Sequence, residues 1–527
     1  MKNSFFLIIP PQQANSERVK TFQEAALKQW VNELPIANPS LSTRLLYDLI
    51  IEFNQLEMDS KTRLEALEIL RPSYIILEDY LRSRLMQSSF PKTESDQKIM
   101  EILVAIEKEM AIGYWIVARD MSHKDIGWFQ NKPIALAIER CIKGLSSIVI
   151  TFALMYQPSP DWVWIDLHSL YKLSETLGKH TTKIPGEFTN LAKTTTIEEC
   201  YHQILLLSLS EPKGLMQKEI VQVYLFLESL SALIQLEKKV VAHYTSQCLL
   251  RLDDDKPPLF QLNPPKIEES GLRYLNFDKL YKSFHKTKDK YIEPENARFS
   301  SIRGQTSSPY KLPVELLDYL ELQWSGKVRP NISIFSDRLD RFIAFGLDAA
   351  HDLQISLILQ AEQELEFIAQ SASENSLTCE FSKTGMISIG SLISFRKKDA
   401  LKHKRSMGVI SKISTFKQLN KINFEIDILA MQYYAVGFQY IDEKNPIRKK
   451  ALLYGQKDPG KEEKSFIIIE SFLIKDGDVI RLFMPQEDFP IILRNRYNIG
   501  LGYWQFECRR LAESDVETQK KRGYDFI

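Results

Sequence analysis

The chain has 527 residues, and its 68 lysines and arginines are matched by 68 aspartates and glutamates, so its formal net charge is zero. That balance excludes a whole-chain polyanion binder, because nucleic acid and anionic membrane surfaces demand a basic excess. A hydrophobic share of 44% with 26% charged residues is that of a soluble globular protein, and roughly 100–200 residues per domain gives two to four domains.

The five cysteines, Cys141, Cys200, Cys248, Cys379 and Cys508, are scattered and form no CxxC pair, which predicts buried free thiols in a reducing compartment. The eight histidines are dispersed, with no HExxH, and no metal site is expected. The apolar run Phe5–Ile9 is too short for a secretory signal, and Leu145–Tyr156 falls short of the roughly 20 residues a bilayer span needs. The expectation is a cytoplasmic protein with no transmembrane segment and no bound nucleic acid.

After an N-terminal segment, residues 1–20, the chain reads as an all-helical domain over 21–250. Phe22, Ala25, Ala26 and Trp30 recur at helical spacing until Leu34-Pro35, and Leu45, Leu46, Leu49, Ile50 and Phe53 form the next stripe. Leu64, Leu67 and Leu70 predict a helix that stops at Arg71-Pro72. Ile102–Val117, Ile134–Tyr156, Trp162–Leu177, Ile197–Leu209 and Gln217–Leu236 continue the pattern as a bundle or solenoid. Asp161 stands where an N-cap for Trp162 onward belongs, and Glu198 and Glu199 sit in a first turn after Thr196. Helical spacing explains Trp162, Trp164 and Tyr171 as core, and His168 and His202 as satisfied histidines. No nucleophile elbow, P-loop or dinucleotide fingerprint occurs, so no enzyme is expected, and the helical surface is assigned to an unidentified protein partner.

Residues 251–335 read as a junction, with loop compositions at Asp253–Pro258 and Asn263–Pro265 and short helices at Phe277–Phe284 and Val314–Trp324. Over 336–512 the period changes to two. Ile387–Phe395, Met407–Phe416, Ile422–Leu429, Tyr433–Tyr440, Phe466–Ile474, Val479–Met484, Ile491–Arg494 and Tyr503–Leu511 are short β-type runs, as in a closed barrel. A polar tail, 513–527, follows. The fold class is α+β multidomain: a helical bundle or solenoid, then an antiparallel β-barrel. Charge is segregated: Asp352–Glu380 holds six acids and no lysine or arginine, whereas Cys379–Leu511 holds 23 basic against 15 acidic residues. The basic run Arg396–Arg405 is either a solvated hairpin loop or an anion contact through Arg396 and Arg405.

The segment Cys379-Glu380-Phe381-Ser382-Lys383-Thr384-Gly385, with Ile389–Phe395 and Met407–Ile413 after it, resembles the early strands of a PilZ-type barrel. The family signature is Asp/Asn-x-Ser-x-x-Gly; Ser382 and Gly385 fit it, and Glu380 replaces Asp/Asn. The resemblance implies a PilZ-like barrel that binds cyclic di-GMP, with arginines before the first strand clamping phosphate, as guanidinium forks do. It places Arg338 and Arg341 in that role, spaced Arg-x-x-Arg where the family has Arg-x-x-x-Arg; Arg329 lies further upstream. Glu380 and Ser382 would then contact guanine, and Gly385 would permit a tight turn or close ligand approach. The expected function is a receptor or adaptor that relays cyclic di-GMP binding through the helical domain. The off-register arginines and Glu380 leave a second expectation, a PilZ-like scaffold that binds proteins without nucleotide.

Overall fold

Apolar residues at helical spacing form stable helices only where their stripe meets another, and strands need closure to protect their edges. Both conditions are met in the computed structural model, which describes residues 5–122, 131–186, 193–264, 270–292, 311–327, 333–355, 365–441, 447–457, 463–471 and 473–514. The chain divides into two units, one of residues 1–88 and 94–329, the other of residues 89–93 and 330–527. Arg329, Ser300–Pro309 and most of the polar tail lie outside the described residues.

The first unit contains α1 (Ser16–Thr21), α2 (Glu24–Glu33), α3 (Pro39–Asn54), α4 (Ser60–Leu85), α5 (Glu94–Ser122), α6 (Asn131–Leu154), α7 (Val163–Thr176), α8 (Ile197–Leu209), α9 (Gln217–Glu228), α10 (Asp278–Tyr291) and α11 (Val314–Trp324). The core runs along α5 and α6, where Leu103, Ile106, Met110, Ile138, Ile142 and Leu145 are buried. The expected stop at Arg71-Pro72 does not occur, and α4 runs through Pro72. Buried Leu64, Leu67, Leu70, Tyr74, Leu77 and Leu81 continue one stripe across the proline, so packing outweighs the missing N–H. Nor does Asp161 cap α7. Trp162 is the N-cap residue, in the left-handed region, and the Asp255 carboxylate accepts from the Trp162 and Ile165 N–H groups.

Where α9 was expected to reach Leu236 it ends at Glu228, and residues 235–237 become β3 (Gln235–Glu237). With β4 (Gln247–Arg251), β5 (Leu259–Gln261) and β6 (Leu272–Asn276) it forms a four-stranded sheet, ordered β3-β6-β4-β5, whose first two strands in the chain begin in the span read as all-helical and whose last two fall in the span read as a loop-rich junction. Four successive residues of β4 and of β6 are buried, so neither strand shows the alternation that marks a half-buried strand. A two-stranded ribbon, β1 (Ile184–Pro185) and β2 (Thr194–Thr195), precedes α8.

The second unit holds two closed barrels where one was expected. The first is β7 (Arg341–Phe345), β8 (Phe367–Ser371), β9 (Ser376–Glu380), β10 (Leu392–Lys397), β11 (Ser406–Thr415) and β12 (Lys421–Ala430), in the order β10-β11-β12-β9-β8-β7. The second is β13 (Tyr434–Tyr440), β14 (Lys449–Gln456), β15 (Lys464–Glu470), β16 (Val479–Phe483), β17 (Asp488–Gly500) and β18 (Tyr503–Arg510), in the order β13-β14-β15-β18-β17-β16. The sequence placed the first strand at Ile387; β7, β8 and β9 come before it, and β10 begins only at Leu392. Val436, Phe438, Ile467, Ile480, Leu493 and Phe506 fill the second barrel. A separate cluster, with Leu392 and Met407 of the first barrel, Leu452 and Ile468 of the second, Tyr433 and Ala350, packs the two together beneath α12 (Leu347–Ile355).

Candidate functional site

Residues opposite one another in adjacent strands share a face of the sheet, and their chain neighbours take the other. Arg341 on β7 is opposite Ala369 on β8, Ala369 is opposite Cys379 on β9, and Cys379 is opposite Ile422 on β12. All four are buried, so this row faces the barrel interior. Phe342, Ile368, Glu380 and Lys421 therefore belong to the outer face, with Ile368 52% exposed. Arg341 and Glu380, two members of the expected site, lie on opposite faces of one wall.

The arginine segment and the motif loop also leave the wall in opposite directions. β7 and β9 run parallel through their shared neighbour β8, so the chain entering at Arg341 and the chain leaving at Glu380 diverge. The hydrogen bonds agree: Ile334 and Phe335 donate to the Glu374 carbonyl in the β8–β9 turn, at 2.8 and 2.7 Å. Phe381, at the other end, donates to the Asn420 carbonyl at 2.9 Å. Arg341 itself is level with Cys379 across β8, and the segment before it runs back to the Glu374 turn; at about 3.3 Å per residue, the length of β9 puts that turn some 13 Å from Glu380.

In the arginine segment, Arg341 is 3% exposed. It donates to the Asp337 carboxylate at 2.6 Å and the Leu339 carbonyl at 2.7 Å, and its guanidinium lies 5.6 Å from the Phe335 ring centroid. Lys397 reaches the same carboxylate at 2.8 Å. Burial would raise the Asp337 carboxyl, but the bonds from Lys397 and Arg341 hold it well below the usual carboxylate range. Arg338 is exposed, in a turn that gives it a φ of 56°.

At the motif end, Glu380 is exposed and accepts from Gln418 at 3.2 Å and Asn420 at 3.0 Å. Ser382, Lys383, Thr384 and Gly385 form an exposed loop. Gly385 has a φ of 72° with open space where a Cβ would stand, so backbone conformation, not crowding, selects glycine there. Its N–H donates to the Pro91 carbonyl at 3.0 Å. Residues 89–93 form a strap along this loop: Phe90 and Ile387 exchange two backbone hydrogen bonds of 2.8 Å, and Ser388 donates to Ser89 at 2.8 Å. Phe90 and Lys92 are buried, the ammonium 4.7 Å from the Phe90 ring centroid.

Arg396 and Arg405 are both buried and meet one carboxylate, Glu366. Arg396 donates to it at 3.2 and 3.1 Å and lies 4.4 Å from the Phe342 centroid. Arg405 donates to it at 2.6 Å, and to Ser394, also at 2.6 Å. Burial works to raise the Glu366 carboxyl, yet these two arginines bring it below its ordinary value. The exposed cations of this loop are Lys397, Lys398, Lys402 and Lys404. Sequence reasoning missed Asp337, Glu366 and the strap. The acidic stretch that contains Glu366, set before a basic run, was the available signal for pairing.

No helix among the described residues is long and apolar enough to cross a membrane, and none of their His, Cys, Asp and Glu side chains group in threes able to hold a metal ion. Residues 25–240 match the family model described as "Cyclic-di-GMP receptor FimW, N-terminal domain". The chain is 23% identical over 329 residues to the cyclic-di-GMP receptor FimW of Pseudomonas aeruginosa, covering 62% of this chain and 52% of that protein. It thus spans about half the length of the curated relative it matches. Among solved structures, MrkH, described as a c-di-GMP-dependent transcription regulatory factor, aligns at 10% identity over 36% of this chain and 85% of its own. With a TM-score of 0.14, that likeness bears on neither fold nor function.

Proposed function

We propose that the chain is a cyclic di-GMP receptor that relays nucleotide binding on its first barrel to a protein partner of the helical unit. The observation that carries this reading is the match of residues 25–240 to the N-terminal domain of a cyclic-di-GMP receptor family. The exposed loop Ser382–Gly385, with Glu380 beside it, offers guanine acceptors and donors, and exposed Arg338 offers a guanidinium for phosphate. Because Arg341 is held by Asp337, phosphate must compete with that carboxylate, and binding then moves the arginine segment. Calorimetric titration of the full chain with cyclic di-GMP tests the reading. We expect saturable heat, weakened about ten- to a hundredfold by Ser382→Ala or Arg338→Ala, the cost of one charge-assisted contact. No heat at high micromolar nucleotide overturns it.

The neutralised Arg341 and the separation of the two ends of the wall favour a second reading, a scaffold that holds a protein partner without nucleotide. Retention of the same partner by the full chain, with and without cyclic di-GMP, distinguishes the two.

A further inference from the structure

The helical unit carries a cavity of about 260 Å³ lined by Glu198, Glu199, His202, Ala232, Ile234, Gln235, Leu236 and Glu237. Three carboxylates and an imidazole line it, and no lysine or arginine does. His202 is 1% exposed; its Nδ1 donates to the Ser231 carbonyl at 3.0 Å, which leaves Nε2 as the acceptor nitrogen. Among the described residues no group meets Nε2, although the ring forms part of the cavity wall. A buried acceptor without a donor costs about 1–3 kcal/mol of desolvation, so the site is built to receive an N–H. Burial lowers the His202 pKa to about 4, which keeps it an acceptor at neutral pH. Burial raises the Glu198 carboxyl; the nearby His180 opposes the rise, and Glu175 and Glu199 add to it.

The occupant must be cationic, rich in N–H donors and small, since the volume lies below the roughly 300–1,000 Å³ of pockets for drug-sized ligands. A bare metal ion does not suit, because no three of these groups converge to ligate one. A planar guanidinium, with five donors in a fork that matches carboxylates, does. β3 adds acceptors, since among the described residues it pairs only with β6 and forms one edge of its sheet. We propose that this cavity binds a guanidinium group, carried by a small guanidine or by an arginine side chain of an extended peptide.

The test is ligand-observed saturation-transfer NMR on the full chain with methylguanidinium, a blocked tripeptide with a central arginine, and tetramethylammonium, a cation with no N–H. We expect saturable transfer to methylguanidinium at roughly millimolar concentration. Glu198→Gln and Glu237→Gln, both on partly exposed side chains, should each weaken it about tenfold or more. Tetramethylammonium should show no saturable transfer. A tripeptide that binds tenfold tighter identifies an arginine of an extended chain as the source; equal affinity identifies a free guanidine. Absent transfer, an equal response to tetramethylammonium, or two variants that bind as the parent does would overturn the proposal.

Discussion

A charged side chain inside a protein is stable only with its counter-charge, and Glu366 supplies that for two buried arginines at once. Glu366→Ala should therefore cost about 3–5 kcal/mol, the penalty of stranding buried charge. Chemical denaturation followed by tryptophan emission checks this; a loss below ~1 kcal/mol would show that the arginines find other partners. Glu380, exposed at the strand end, should be replaced with little loss of stability. His168 reports through pH instead. The Tyr201 hydroxyl donates to its Nδ1 at 2.6 Å, Nε2 donates to the Lys256 carbonyl at 2.8 Å, and burial lowers its pKa from 6.5 to about 4. The folded value lies below the unfolded one, so the stabilisation is complete above about pH 6.5 and is lost as pH falls toward 4. The melting-temperature gap between the parent and His168→Gln should shrink across that window, and a gap independent of pH would contradict it.

Elements differ in how plainly they were written in the sequence. The expected span Ile197–Leu209 is α8 residue for residue, because Thr196 and Glu199 cap it reciprocally and ten of its thirteen residues are buried. β7, β8 and β9 were not legible: polar Arg341 and Ser376 are buried in β7 and β9, and β8 buries a single residue, Ala369, so no apolar alternation stands out. The motif loop was legible because Glu380, Ser382 and Gly385 are near in sequence. Asp337 and Glu366 were not, because their roles depend on pairing that only the closed barrel creates. Closure also explains Gly390, which has a φ of 82° and where a Cβ would stand 3.0 Å from the Gly500 backbone, at a point of contact between the two barrels. Gly390→Ala should cost about 2–4 kcal/mol, combining a left-handed conformation with overpacking. A barrel unit that melts as the parent does would refute that.

Across the whole molecule, the zero net charge covers charges that are in part already paired with one another. The acidic stretch begins within α12 at Asp352, which accepts from Lys450 at 2.8 Å, and includes Glu366, which holds two arginines of the basic run. Arg396, Arg405 and Lys450 are thus paired within this unit, whereas Arg338 is exposed. The strap adds a constraint of inheritance. A barrel unit assembled from residues 89–93 and 330–527 is written in two separated stretches of coding sequence. One genetic crossover near residue 330 would move the barrels without the strand that covers Ile387 and anchors Gly385. Such a transplant arrives with a bare edge, so lineages that shuffle domains by single crossovers should pass these helices and barrels on together.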